Sequence, residues 1–91
     1  MTALFSLGSV VATAAAVSGI GSARVSVGAL LQRHLLGDWG DVSEGDAALN
    51  VQAMASRDRI VSAYQITPTT RILIITEADR SATTIMTPGD Y

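Results

Sequence analysis

Nine consecutive residues, Arg33-His34-Leu35-Leu36-Gly37-Asp38-Trp39-Gly40-Asp41, place one guanidinium, one imidazole, two carboxylates and one indole together. His34 is the only histidine and Trp39 the only tryptophan of the chain. His34, Asp38 and Asp41 fall at i, i+4 and i+7. As a donor set they suit iron, manganese or zinc, and so a small metal-dependent hydrolase or nuclease. That spacing converges only on an unbroken helix, and Gly37 is placed to end the helix between them. The competing reading is a histidine in an apolar stripe, satisfied by a backbone or carboxylate partner. A Ser-His-Asp arrangement would have to use His34, with Ser81 as nucleophile and Asp38 or Asp79 as orienter. No Gly-x-Ser-x-Gly elbow accompanies Ser81.

Two further features suit contact rather than catalysis. Asp79-Arg80-Ser81 reads as a tight turn, in which Asp and Ser bond their own backbone, or as a recognition tip anchored by Arg80. Trp39, between Gly37 and Gly40, either folds back to cap the core or stands exposed as a hot spot flanked by Asp38 and Asp41. The partner-binding candidates are therefore Arg33, His34, Asp38, Trp39, Asp41, Asp79, Arg80 and Ser81. No catalytic or metal-ligating residue is assigned. No phosphate loop, dinucleotide fingerprint or HExxH motif is present, so no cofactor is expected. Tyr64 and Tyr91 read as packing side chains.

Composition narrows the classes. The chain has 91 residues, enough for one domain with little core to spare. It is 48% hydrophobic and 15% charged, the balance of a globular chain rather than a disordered one. A net charge of −2 with six basic residues cannot line a phosphate-tracking groove unless they all cluster, so nucleic acid is not the expected ligand. With no cysteine, disulfides, thiolate catalysis and Cys-based zinc sites are excluded. A cytoplasmic setting agrees with that. Residues 1–23 carry no charge. A signal peptide needs a positive segment before its apolar stretch, and the first charge is Arg24. Gly8, Ser9, Thr13, Ser18 and Gly19 interrupt any apolar run of the ~20 residues that a membrane helix needs.

The elements that must position these residues follow from period and caps. Residues 7–12 suit a short strand or extended entry. Thr13 caps a helix over 14–20, which Gly19 or Gly21 would end. Ser26 caps a second helix, whose stripe is Val27, Leu30, Leu31, His34 and Leu35, with Gly37 as its stop. Ser43 caps a third, with Asp46 at N3 and Ala47, Ala48, Val51, Met54 and Ala55 as its buried face. The period then changes to that of strands, over 59–65, 71–77 and 81–86. The middle strand, Ile72-Leu73-Ile74-Ile75, is apolar on both faces, as a central covered strand should be. Short links around Pro68 and at Ala78-Asp79-Arg80 favour antiparallel pairing. The expected fold is a single α+β domain over residues 1–91. It comprises a three-stranded antiparallel meander, with the short N-terminal strand as an optional addition, and two or three helices on one face.

The run His34-x-x-Gly37-Asp38-Trp39-Gly40-Asp41, the single Asn50, Arg59-Ile60-x-Ser62-Ala63-Tyr64 and residues 74–85 (IITEADRSATTI) together resemble a family of small bacterial plasmid-related proteins. Some members carry a label as restriction–modification subunits. The chain departs from that pattern at Ala14-Ala15, where proline and glycine are expected, and at Ser56-Arg57-Asp58, where a glycine is expected before the first long strand. The resemblance implies a bacterial mobile-element setting and no catalytic residue. The resulting expectation is a non-enzymatic protein-binding accessory module, with host defence machinery such as a restriction or CRISPR effector as a partner class. A homo-oligomeric structural protein, pairing through a sheet edge or the apolar N-terminal segment, is the alternative beside the metal-dependent enzyme.

Overall fold

In a computed structural model, which describes residues 3–91, the chain is α+β, with three helices and a four-stranded mixed sheet. In chain order come β1 (Ser9–Ala12), α1 (Ala14–Ala23), α2 (Val27–Leu35), α3 (Glu44–Ser56), β2 (Ile60–Thr67), β3 (Thr70–Thr76), β4 (Ala82–Met86) and a closing 3₁₀ turn, Pro88–Asp90.

Each helix starts on the cap its sequence carries. The side-chain oxygens of Thr13, Ser26 and Ser43 accept from the N–H groups of Ala16, Ala29 and Asp46. Each such bond satisfies one orphan donor and is worth about 1 kcal/mol. Helix α2 ends at Gly37, whose φ is +84°. There the Gly37 N–H donates to His34 C=O and the Asp38 N–H to Arg33 C=O, the paired bonds of a Schellman motif.

Two helices differ from expectation. Helix α1 runs through Gly19 and Gly21, and Arg24 in the left-handed region (φ 57°) ends it. Gly19 serves packing instead, since a Cβ there would lie 3.2 Å from Thr70 Cγ2. In α3 the inward positions are Asn50 and Ala53, with Ala47 and Met54 packed beside them. Ala48, Val51 and Ala55 face solvent, contrary to the expected apolar face. The reason is that Asn50 turns inward to hydrogen-bond Val61, which puts Ala47, Ala53 and Met54 on the packed face beside it and Ala48, Val51 and Ala55 outside.

The strand order is β1-β4-β3-β2. β2 and β3 pair antiparallel, with Tyr64 opposite Ile72 and Ile60 opposite Thr76, and β3 and β4 pair antiparallel, with Ile74 opposite Ile85. β1 joins β4 in parallel, Val10 beside Thr83 and Ala12 beside Ile85. The N-terminal strand, optional in the expected fold, is thus present and joins in parallel, so the sheet is mixed and four-stranded rather than an antiparallel meander alone. The helix α1–α2–α3 segment between β1 and the hairpin supplies the long crossover that a parallel pair requires.

Cross-strand partners share a face, and Ile60, Tyr64, Ile72, Ile74 and Ile85 all point to the helices. Tyr64, Ile72, Ile74 and Ile85 form the larger core with Ala16, Ile20 and Leu30. Ile60 joins Ala53 and Trp39 in a second cluster, closed by Phe5 and Val42. The C-terminal turn is tied down by Asp90, whose carboxylate accepts from Thr13 Oγ1 at 2.7 Å and from the Thr87 N–H at 3.0 Å. Among the described residues no single helix is long and apolar enough to cross a membrane. α1 and α2 reach that length and composition only together, and they meet at a bend of 106°.

Candidate functional site

The apolar stripe of α2 carries His34 inward, where it is fully buried. Its Nδ1 lies 2.6 Å from Ser62 Oγ and its Nε2 2.9 Å from Thr76 Oγ1. Thr76 Oγ1 is 2.7 Å from Thr83 Oγ1, and Thr83 Oγ1 donates to the Leu7 carbonyl at 2.8 Å. That last bond sets every direction behind it. Thr83 spends its proton on Leu7, so it accepts from Thr76, and Thr76 in turn accepts from His34 Nε2–H. Nδ1 is then the acceptor and Ser62 the donor, which makes the ring the neutral Nε2–H tautomer. Burial acts in the same sense, pushing the imidazole pKa down to about 4.

Both ring nitrogens are thus committed. The expected metal set does not form, because Asp38 and Asp41 are engaged elsewhere and His34 has no free lone pair. Among the described residues no cluster of three or more His, Asp or Glu could hold a metal ion. The Ser81 arrangement does not form either. Ser81 lies in the β3–β4 turn, its N–H donating to Asp79 Oδ1 at 2.9 Å, and the serine that meets His34 is the buried Ser62.

Arg33 turns back on the loop after α2. Its Nε and Nη2 meet the two Asp38 oxygens at 2.6 and 3.3 Å, and its guanidinium carbon stands 4.5 Å over the Tyr64 ring. The pair holds the Asp38 carboxyl below the usual range and Arg33 above its own. Tyr64 completes the knot by donating its hydroxyl to the Asp38 carbonyl at 2.7 Å, and its burial pushes the phenol up.

The loop then covers the outer edge of β2. Ala63 N–H donates to Trp39 C=O at 3.0 Å, and Asp41 N–H donates to Ala63 C=O at 2.6 Å. Asp41 Oδ2 accepts from Gln65 N–H at 2.8 Å. From α3, Asn50 Oδ1 accepts from Val61 N–H at 3.0 Å while its Nδ2 donates to Val61 C=O at 2.8 Å. Three successive outward residues of β2, namely Val61, Ala63 and Gln65, are therefore paired by Asn50, the Trp39–Asp41 backbone and the Asp41 carboxylate. Gly40, at φ +74°, is what allows it, since any Cβ there would collide with Ala63 O and the Tyr64 ring. Trp39 is only 7% exposed. Its ring stacks on Phe5 at 6.3 Å and meets His34 edge-on at 6.0 Å. It is the core cap, one of the two places expected for it.

Arg80 is not an outward tip. From a backbone at φ 62° its guanidinium turns inward and donates to four carbonyls: Ala53 at 2.8 Å, Asp58 at 2.7 Å, Glu77 at 3.1 Å and Ala78 at 3.3 Å. A cation at the last turn of α3 satisfies orphan carbonyls there and suits the helix dipole. Asp79 stays exposed in the turn, its carboxyl held below the usual range by hydrogen bonds from Ser81.

Of the eight candidate residues, His34 and Trp39 are buried and Arg80 turns inward, while Arg33, Asp38, Asp41, Asp79 and Ser81 keep exposed side chains beside their structural bonds. A second open surface lies on another side of the sheet edge. Arg59 Nη2 donates to the Tyr91 hydroxyl at 3.2 Å. Together with Leu49, Val61 and Asp46 they line a groove of about 270 Å³. Leu49 is 61% exposed and Tyr91 68%, so Tyr91 is no packing residue. The groove brings α3, the entry to β2 and the C-terminal turn together, which no local motif could signal. The one available hint is Leu49 and Val51 flanking Asn50, aliphatic residues on a helix whose asparagine points inward. No protein-family model, curated protein or solved structure matches this chain.

Proposed function

We propose that this chain is a non-enzymatic protein-binding accessory module whose contact surface centres on Arg59 and Tyr91. The observation that supports this reading is the Arg59–Tyr91 pair itself. A phenol and a guanidinium meet at 3.2 Å on open surface, beside exposed Leu49. Tyrosine and arginine are, with tryptophan, the side chains enriched among residues that dominate binding energy. Arg59 and Tyr91 line two grooves, one with Asp46, Leu49 and Val61 and the other with Asp90, Ile75 and Met86, so each pairs an acidic group with apolar side chains. The ligand chemistry this fits is a protein surface that inserts an apolar side chain beside an acidic group able to pair with Arg59. In the bacterial mobile-element setting to which the sequence resemblance points, host defence machinery is the partner class.

The test is affinity capture from a bacterial lysate with wild-type chain, Arg59→Ala, Tyr91→Ala and, as a surface control, Asp79→Ala. Support is a protein held by wild type and by Asp79→Ala but lost from both of the other variants, with all four chains folded by circular dichroism. A partner retained by Arg59→Ala and Tyr91→Ala overturns the assignment.

A further inference from the structure

The two edges of the sheet are treated in opposite ways. The β2 edge is paired residue by residue, as described above. The β1 edge is open. Ser9 N–H donates to Ser81 C=O and Thr13 N–H to Ile85 C=O, so the odd-numbered residues of β1 face β4. The N–H and C=O groups of Val10 and Ala12 therefore point outward, and among the described residues nothing pairs with them. All four residues of β1 are exposed, Val10 at 44% and Val11 at 52%. Edge strands are usually guarded by a charge, a proline or a bulge. β1 is Ser-Val-Val-Ala, and no charged residue occurs from 1 to 23. Beside it, on the helix side, an apolar groove of about 400 Å³ runs between β1, α1 and the start of α2, lined by Val10, Val17, Val25, Val27 and Leu31.

We propose that β1 is a homodimerisation edge, pairing antiparallel with β1 of a second copy about a two-fold axis. An identical strand is the occupant that the edge fits on two counts. First, the free groups are self-complementary. With the axis at Val11, Val10 of each copy faces Ala12 of the other as a hydrogen-bonded pair, and all four outward residues exchange their bonds. Val11 then opposes its own copy in the closer, non-hydrogen-bonded position, on the face away from the helices. Second, the charge pattern permits it. The whole chain is net negative, yet β1 and α1 carry no charged side chain, and the Asp90 carboxylate held by Thr13 lies past the end of β1 rather than on the pairing residues. The product is one continuous eight-stranded sheet, with the Val10 side chains laid along the paired apolar grooves. This surface shares no residue with the Arg59–Tyr91 patch, so a dimer would present two such patches.

The experiment is sedimentation velocity over a concentration series with wild type, Val11→Lys, Val11→Glu and a one-to-one mixture of the two variants. Wild type is expected as a dimer. Each charged variant places like charges face to face on the axis and weakens self-association by about 100-fold or more. The mixture restores the dimer, because an ammonium from one variant then faces a carboxylate from the other; circular dichroism shows each variant folded. Rescue by mixing cannot come from a merely misfolded strand. A wild type that stays monomeric at high concentration overturns the proposal. So does a dimer that Val11→Lys leaves intact, or variants that stay monomeric when mixed. None of these results bears on capture by Arg59 and Tyr91.

Discussion

Ser62 Oγ donates to His34 Nδ1 at 2.6 Å, and this bond joins the helix layer to the sheet at the centre of the molecule. It exists only while the ring is neutral, because a protonated Nδ1 is a donor and would confront the Ser62 hydroxyl with no lone pair. The folded pKa of about 4 lies below the ordinary 6.5. On acidification the unfolded chain therefore takes up the proton first. The stability that neutral His34 confers is complete above about pH 6.5 and is lost as pH falls to about 4, for a total of roughly 3 kcal/mol. Urea unfolding at pH 7, 5.5 and 4.5 should show that decline. His34→Gln, which keeps hydrogen-bonding groups but does not titrate, should be less stable at pH 7 and lose most of the slope. The carboxyls of Asp38, Asp79 and Asp90, all held below their usual range, act in the same direction at lower pH.

Asn50 fills both hydrogen-bonding roles at Val61. Asn50→Asp keeps the acceptor but removes the donor, leaving the Val61 carbonyl facing a carboxylate. Asn50→Leu removes both while adding apolar surface. Each variant should cost about 2–3 kcal/mol of unfolding free energy, the cost of buried backbone groups left unpaired. Equal stability in Asn50→Leu would mean that the edge is satisfied by water.

Arg80 joins the end of α3, the α3–β2 link and the β3–β4 turn through four carbonyls. Lysine keeps the charge but not the planar fork, and cannot serve carbonyls on both sides at once. Arg80→Lys should therefore lower the melting temperature nearly as much as Arg80→Ala. A lysine variant as stable as wild type would reduce the role of Arg80 to charge at the helix terminus.

Arg57 ends α3 at φ 61°, in the left-handed region where a side chain crowds its own backbone. Its side chain forms no hydrogen bond or ion pair among the described residues. Arg57→Gly should stabilise the protein by up to about 1 kcal/mol, read as a shift in urea midpoint at constant slope.

The local grammar of the chain is legible in its residues. Thr13, Ser26 and Ser43 announce three helix starts, Gly37 one stop, and Ile72–Ile75 the central strand. What escapes a reading of the sequence depends on partners far apart along it. β1 pairs with β4 across more than seventy residues, so no short-range pattern encodes its parallel direction. Asp41 meets Gln65, and Asn50 meets Val61, as edge partners that exist only once the sheet is formed. Charged turn residues usually point outward, and four carbonyls converging from three segments reverse that for Arg80. For the site, the density of chemical groups between Arg33 and Asp41 is real, but it is consumed in closing a sheet edge. The exposed pair Arg59 and Tyr91 is assembled only by folding.

Residues 38–41 and Asn50 seal the β2 edge while β1 stays open. Amide hydrogen exchange followed by NMR reads it residue by residue. Val61, Ala63 and Gln65 are expected to exchange as slowly as central β3 at every protein concentration. Val10 and Ala12 should exchange fast in dilute protein. Fast exchange at Val61, Ala63 and Gln65 would contradict the sealed edge, and would return the Asp38–Asp41 loop to the surface as a candidate contact site.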